Sequence, residues 1–130
     1  MGLLYQPKVG DVFMCDFNGF QAPEMVKKRP VIVISKNRNN AKLVTIVPLS
    51  TTQPTKIEDY HYELPNNPVP NNAHVKCWAK CDMLATVSIS RMDRLKGTKK
   101  RERVVPVIEK DEMAHIRECV GNALNLKSLL

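Results

Sequence analysis

Aromatic side chains make up only 5% of the 130 residues. That scarcity excludes an open sheet of base-stacking platforms of the RRM kind, so any recognition of RNA has to lean on phosphates and a few pockets. Long apolar runs are also missing. None approaches the roughly 18 residues needed to span a membrane, and Met1-Gly2-Leu3-Leu4-Tyr5 leads into Pro7 and Lys8 rather than into a signal-type stretch. A cytoplasmic location is the expectation. The four cysteines, Cys15, Cys77, Cys81 and Cys119, sit in a chain without an export signal, which favours reduced thiols over a disulfide framework. Cys77 and Cys81 share one face of a strand, but a zinc site asks for about four ligands and no second well-spaced pair accompanies them. Neither a metal nor a cofactor is expected. With no internal repeat and no linker, residues 1–130 read as one domain, large enough for a real core.

Acid is in deficit as well. Twenty lysines and arginines face thirteen aspartates and glutamates, for a formal net charge of +7, which favours a polyanionic partner, either nucleic acid or an acidic protein segment. The excess is clustered at Lys27-Lys28-Arg29, at Lys36 and Arg38, at Arg91 and Arg94, and over residues 96–103, where five basic side chains stand against one acidic. A solvated surface and phosphate contact are both open for that last run.

The apolar pattern is mostly that of strands. Short β-branched runs occur at Val31-Ile32-Val33-Ile34 and at Leu43-Val44-Thr45-Ile46-Val47. A first strand is predicted over residues 9–17, followed by a loop over 18–28 that is long for a hairpin and reads as a mobile lid. Residues 58–64 predict a fourth strand. Residues 66–72, rich in Asn and Pro, predict a surface loop. Over 74–89 a long strand-like stretch sets Val75, Cys77, Ala79 and Cys81 on one face and Lys76, Trp78 and Lys80 on the other, with a bend expected near Cys81-Asp82-Met83. Residues 91–95 predict a turn or short helix and 102–107 a last strand. From 111 to 126 the period changes: Met113, Ile116, Val120, Ala123 and Leu124 share one helical face. Gly121 weakens that helix by about 1 kcal/mol relative to alanine, a cost consistent with close packing. The class is α+β, mostly β.

The richest stretch runs from Pro23 to Thr52. Glu24 and Arg29 precede the first β-branched strand, and the second ends on Ser50-Thr51-Thr52. Paired as an antiparallel hairpin, the two strands bring Arg29 beside Ser50 and Thr51, a constellation suited to a phosphate. Gly10-Asp11-Val12-Phe13, Glu24 with Arg29-Pro30-Val31-Ile32-Val33-Ile34-Ser35, Pro48-Leu49-Ser50-Thr51, His61-Tyr62-Glu63-Leu64 and Lys80-Cys81-Asp82 occur in the order and approximate spacing of the PemK/MazF-like toxins. The resemblance covers nearly the whole chain. It implies a small SH3-like barrel of the CcdB/PemK type with a C-terminal helix, usually a homodimer. The activity it implies is metal-independent, sequence-specific cleavage of single-stranded RNA by the toxin half of a type II toxin–antitoxin pair, with a cognate antitoxin as partner.

Cleavage through the neighbouring 2′-hydroxyl needs a base, an acid and support for charge on the phosphate oxygens. Arg29 matches the family's phosphate-binding arginine; its plain alternative is a surface ion pair with Glu24. Glu24 can act as base or orient Arg29. Ser50 and Thr51 both fit the hydroxyl position, and the Val47-Pro48-Leu49 tract aligns it with Ser50. Lys80 and Asp82 match a basic-Cys-Asp segment that contributes to RNA cleavage in some members, against a cross-strand ion pair as the alternative. Lys28 is taken as substrate-binding beside Arg29. His61 is either an acid–base group or a structural residue of its strand, and Tyr62 and Trp78 either stack on a base or pack inside. His74 and His115 are left as surface residues. The chain departs from the family's pattern where an Arg-Thr pair is replaced by Ala85-Thr86 and where the loop before Arg29 reads Ala22-Pro23-Glu24-Met25. A non-catalytic interaction protein of the same fold is the competing reading. Its gyrase-poison form relies on a Trp-Gly-Ile ending, whereas this chain ends Lys127-Ser128-Leu129-Leu130.

Overall fold

The computed structural model describes residues 2–126; the tail at 127–130, on which the gyrase comparison turned, lies outside the described residues. Strands β1 (Val12–Cys15), β2 (Arg29–Lys36) and β3 (Leu43–Ser50) are adjacent and antiparallel. Their largely apolar central stretches have a direct cause: the sheet is covered there on both faces. Val12, Ile32, Ile34, Val47 and Leu49 turn to one core, which Met113 and Ile116 of the C-terminal helix close. Phe13, Cys15, Val31, Val33, Val44 and Ile46 turn to a second core with Leu3, Phe17, Ile89 and Met92. Alternate side chains of β2 and β3 thus enter different cores, so both faces are apolar over residues 31–34 and 46–49, while half-buried Thr45 meets Thr86 Oγ1 at 2.8 Å. Each fully buried Val, Ile, Leu or Phe contributes roughly 1.5–3 kcal/mol of transfer free energy.

The sheet continues through β4 (His61–Glu63), β5 (Trp78–Lys80), β6 (Ala85–Ser88) and β7 (Met92–Asp93), in the order β4-β5-β3-β2-β1-β7 with β6 also on β3. β3 therefore changes partner along its length, pairing Leu43 to Ile46 with β6 and Leu49 and Ser50 with β5. Pro48 falls where the partner changes, so its missing N–H costs no ladder bond on that side. The bend expected at Cys81-Asp82-Met83 is a 3-10 turn that separates β5 from β6. A separate two-stranded hairpin, β8 (Leu95–Lys96) with β9 (Arg103–Val104), stands off the main sheet. Helix α1 (Lys110–Ala123) closes the chain, with Asp111 and Glu112 in its first turn, where the helix dipole favours anions.

Several expectations change in detail. β1 is shorter than 9–17, because the chain before Val12 turns through Gly10, whose φ of +94° few other residues adopt. The turn or short helix expected over 91–95 lies earlier, as the 3-10 turn Ile89–Arg91, and the chain then passes into β7 and β8. Trp78 is buried at 4% exposure despite its place in the Lys76/Lys80 alternation, since both sides of β5 are covered. Gly121 does not serve close packing: a Cβ there would meet nothing within 4 Å. The helix stops at Ala123 with Asn125 at φ +57°, which leaves Leu124 51% exposed.

Candidate active site

In the β2–β3 register Val31 stands opposite Pro48 and Ile32 opposite Val47. Continued two residues toward the start of β2, this register sets Arg29 level with Ser50. Both line a cavity of about 330 Å³ together with Glu24, His61, Lys80 and Asp82. Three routes of chain supply it: the β1–β2 loop gives Glu24, the paired ends of β2 and β3 give Arg29 and Ser50, and the β4–β5 side gives His61, Lys80 and Asp82. His61 is directly opposite Lys80 in the β4–β5 register, and Asp82 follows in the 3-10 turn. A second cavity of about 200 Å³ adjoins the first, with Arg29, Leu49 and Ser50 on both walls; Lys28 and Thr51 face this one. Thus the structure gathers six of the eight candidate residues around one cavity and puts Lys28 and Thr51 next door. Of the two hydroxyls, Ser50 is the one placed with Glu24 and His61.

The hydrogen bonds narrow what each group can do. No carboxylate among the described residues forms an ion pair with Arg29, so the Glu24 pairing considered from the sequence is not made. Glu24 instead accepts from the Gln21 amide through Oε1 at 2.7 Å, bracing its own loop. Lys80 and Asp82 likewise form no ion pair with each other among the described residues. Ser50 Oγ accepts from the Thr52 amide at 3.1 Å, which leaves its hydroxyl proton free to donate. His61 Nδ1 accepts from the Glu58 amide at 3.0 Å. A ring that accepts at Nδ1 leaves Nε2 as the position from which it can donate.

Other residues emerge from the geometry that sequence patterns passed over. Tyr60 packs its ring on His61 with centroids 4.6 Å apart, and its phenol is pushed up by burial and then by the Asp82 carboxylate. Asn67 is a buried polar residue that accepts from the Val69 amide at 2.9 Å and donates to the Val75 carbonyl at 3.2 Å. It folds the 66–72 segment down so that Asn67, Val69 and Asn72 wall the second cavity. The Asn-Asn-Pro sequence carried that signal as an Asx turn. The 18–28 loop is anchored rather than loose at its start. Arg91 donates to the Asp16 and Asn18 carbonyls at 3.1 and 2.7 Å and lies 5.0 Å from the Phe20 ring centroid. Tyr62 stacks on His115 at 5.6 Å, and Trp78 is buried, which removes Trp78 as a stacking platform. The Cys15, Cys77 and Cys81 thiols are pushed up to about 12, 11 and 12, chiefly by burial, which makes them inert packing groups.

Residues 8–124 match the family of PemK-like, MazF-like toxins of type II toxin–antitoxin systems. The chain belongs to that family. Its fold is also that of solved MazF structures. MazF from Deinococcus radiodurans superposes with a TM-score of 0.65 at 20% identity, over 93% of this chain and 98% of that one. A mycobacterial endoribonuclease in complex with its cognate antitoxin gives 0.64 at 19%, over 92% and 96%. At such identities the likeness is one of fold, and it bears out the mostly-β architecture with a C-terminal helix. Among curated proteins, an uncharacterized Haemophilus influenzae protein is 26% identical over 97% of this chain and 95% of its own length. No helix among the described residues is long and apolar enough to cross a membrane.

Proposed function

We propose that this PemK/MazF-family member is an endoribonuclease that cleaves single-stranded RNA without a metal, by attack of a 2′-hydroxyl on the adjacent phosphorus. The observation that supports it most is the meeting of Arg29, which forms no ion pair among the described residues, with Ser50, Glu24 and Lys80 around one cavity. The nucleophile belongs to the substrate, so the protein has only to position, remove one proton and stabilise charge. Arg29 offers two parallel N–H donors to the non-bridging oxygens, and Ser50 Oγ–H and His61 Nε2–H add further donors to the same group. The Glu24 carboxylate accepts the 2′-hydroxyl proton as the new O–P bond forms. The P–O5′ bond then breaks, and the leaving oxygen takes a proton from a cationic N–H of the cavity, with Lys80 in that role. The products are a 2′,3′-cyclic phosphate and a 5′-hydroxyl.

As a family toxin it is proposed to work as a homodimer, controlled by an acidic cognate antitoxin segment drawn to the same basic surface. The direct test is a cleavable oligonucleotide carrying a single 2′-deoxy residue at the mapped cut site. Loss of cutting at that bond, with cuts elsewhere unchanged, supports internal attack. Cleavage that survives the 2′-deoxy substitution, or products with 5′-phosphate ends, would refute it.

A further inference from the structure

The β8–β9 hairpin lies outside the main sheet and is unexplained by the proposed chemistry. It carries five basic residues within 96–103. Lys96 and Arg103 are directly opposite each other in its register and both are exposed. Like charges at such a cross-strand position oppose pairing. The nearby acid does not relieve them: Glu102 Oε1 accepts from the Thr98 and Lys99 amides at 2.9 and 3.3 Å, closing the turn. None of Arg94, Lys96 or Arg103 forms an ion pair among the described residues. Asp93, the acid beside them, directs Oδ1 to the Arg94 amide at 2.8 Å.

These cations border a further cavity, of about 560 Å³, where Lys28, Arg94, Lys96 and Arg103 outnumber the single acid of the lining, Asp93. It shares Met14, Lys28 and Val69 with the cavity that holds Thr51, which in turn shares Arg29 and Ser50 with the candidate active site. Three concave surfaces therefore adjoin in series, and a cation stands at each junction: Arg29 at the first, Lys28 at the second.

We propose that the hairpin and Lys28 form an extended track for the RNA backbone, in which Arg94, Lys96 and Arg103 hold phosphates on one side of the cleaved bond. The proposal rests on the ribonuclease reading and adds to it a binding surface outside the reacting cavity. A polyanion laid between Lys96 and Arg103 supplies the countercharge that no ion pair among the described residues provides. Because the contacts are to phosphates, the track sets affinity and minimum substrate length rather than sequence.

The test compares binding of a 5-nucleotide and a 15-nucleotide 2′-O-methyl RNA, which cannot be cut through a 2′-hydroxyl, by fluorescence anisotropy across a salt series. Two triple variants are measured beside the wild-type protein: Arg94→Gln/Lys96→Gln/Arg103→Gln, and Lys99→Gln/Lys100→Gln/Arg101→Gln. The second removes the same charge from the same hairpin without touching the cavity wall. The expected result is that the first variant loses most of the affinity gained between the short and the long RNA, with the slope of log K on log salt reduced by about 2, near 0.7 per phosphate contact. The turn variant should keep most of that gain. Equal losses in both would reduce the effect to net charge and overturn the track, as would wild-type behaviour in the first. Weakened binding of poly-glutamate with unchanged RNA binding would assign the groove to an acidic protein segment and overturn it too. If the wild-type protein binds neither RNA, the track fails, and cutting of unmodified RNA by the same protein separates that outcome from failure of the ribonuclease reading.

Discussion

Glu24 carries two separable assignments, and a pair of substitutions distinguishes them. Its Oε1 holds the Gln21 amide at 2.7 Å, while the side chain lines the same cavity as Arg29 and Ser50. Glutamine at this position keeps an acceptor oxygen for the amide but cannot take a proton; alanine loses both. The bond is charge-assisted but exposed, so its net worth sits near the low end of the usual range, about 0.5–1 kcal/mol. In a domain of this size 1 kcal/mol moves Tm by about 4 °C. The expected thermal shifts are therefore within about 2 °C for Glu24→Gln and up to about 4 °C for Glu24→Ala. General-base catalysis is worth roughly 10²–10⁴-fold, so both variants should lose at least 10²-fold in cleavage rate. Single-turnover cleavage of a labelled RNA at saturating protein measures that rate without the contribution of binding. A Glu24→Gln protein that cuts at the wild-type rate while Glu24→Ala does not would show that the carboxylate only braces the loop, and the base would have to be sought elsewhere, at Asp82 first.

Two further outcomes follow from the packing. Arg91→Ala removes two donors to the Asp16 and Asn18 carbonyls and should cost about 1–2 kcal/mol, while raising amide exchange over residues 18–24; unchanged exchange there would mean that the loop is held by Phe17 and Phe20 alone. Stability should also fall on the alkaline side. Cys15, Cys77 and Cys81 are raised from 9.0 to about 12, 11 and 12, so below pH 9 both folded and unfolded chains keep these thiols protonated and nothing is lost. Above pH 9 the unfolded chain ionises first, and each thiol withdraws up to about 1.4 kcal/mol per pH unit until its folded value is reached. Thermal melts at pH 8, 9.5 and 10.5 should fall more steeply for wild-type protein than for Cys15→Ala/Cys77→Ala, and parallel curves would refute the assignment.

Much of this was legible in the chain because local and tertiary demands coincide. The β2–β3 hairpin announced itself through β-branched runs, and antiparallel pairing alone places Arg29 by Ser50. The bend at Cys81 to Met83 followed from a strand-like stretch too long for a small sheet. What stayed hidden depends on distant chain. Trp78 sits in a polar alternation, yet coverage from both sides buries it. The pairing of β8 with β9 was missed because each is two residues long and their turn reads only as charge. The Glu24–Arg29 ion pair was plausible from spacing, but the loop folds back so that the carboxylate meets the Gln21 amide instead. Gly121 shows the opposite failure, since its cost suggested a contact and the helix there faces open space.

The most direct test of the central proposal is incubation of the wild-type protein and Arg29→Ala with varied single-stranded RNAs in EDTA, with the product ends mapped. Arg29 forms no ion pair among the described residues and is half-buried at the start of β2, so its removal should leave the fold within about 1 kcal/mol. The prediction is sequence-limited cutting by the wild-type protein with 2′,3′-cyclic phosphate ends, reduced at least 10²-fold in the variant. No cutting of any RNA by a folded wild-type protein, or equal cutting by the variant, would contradict it.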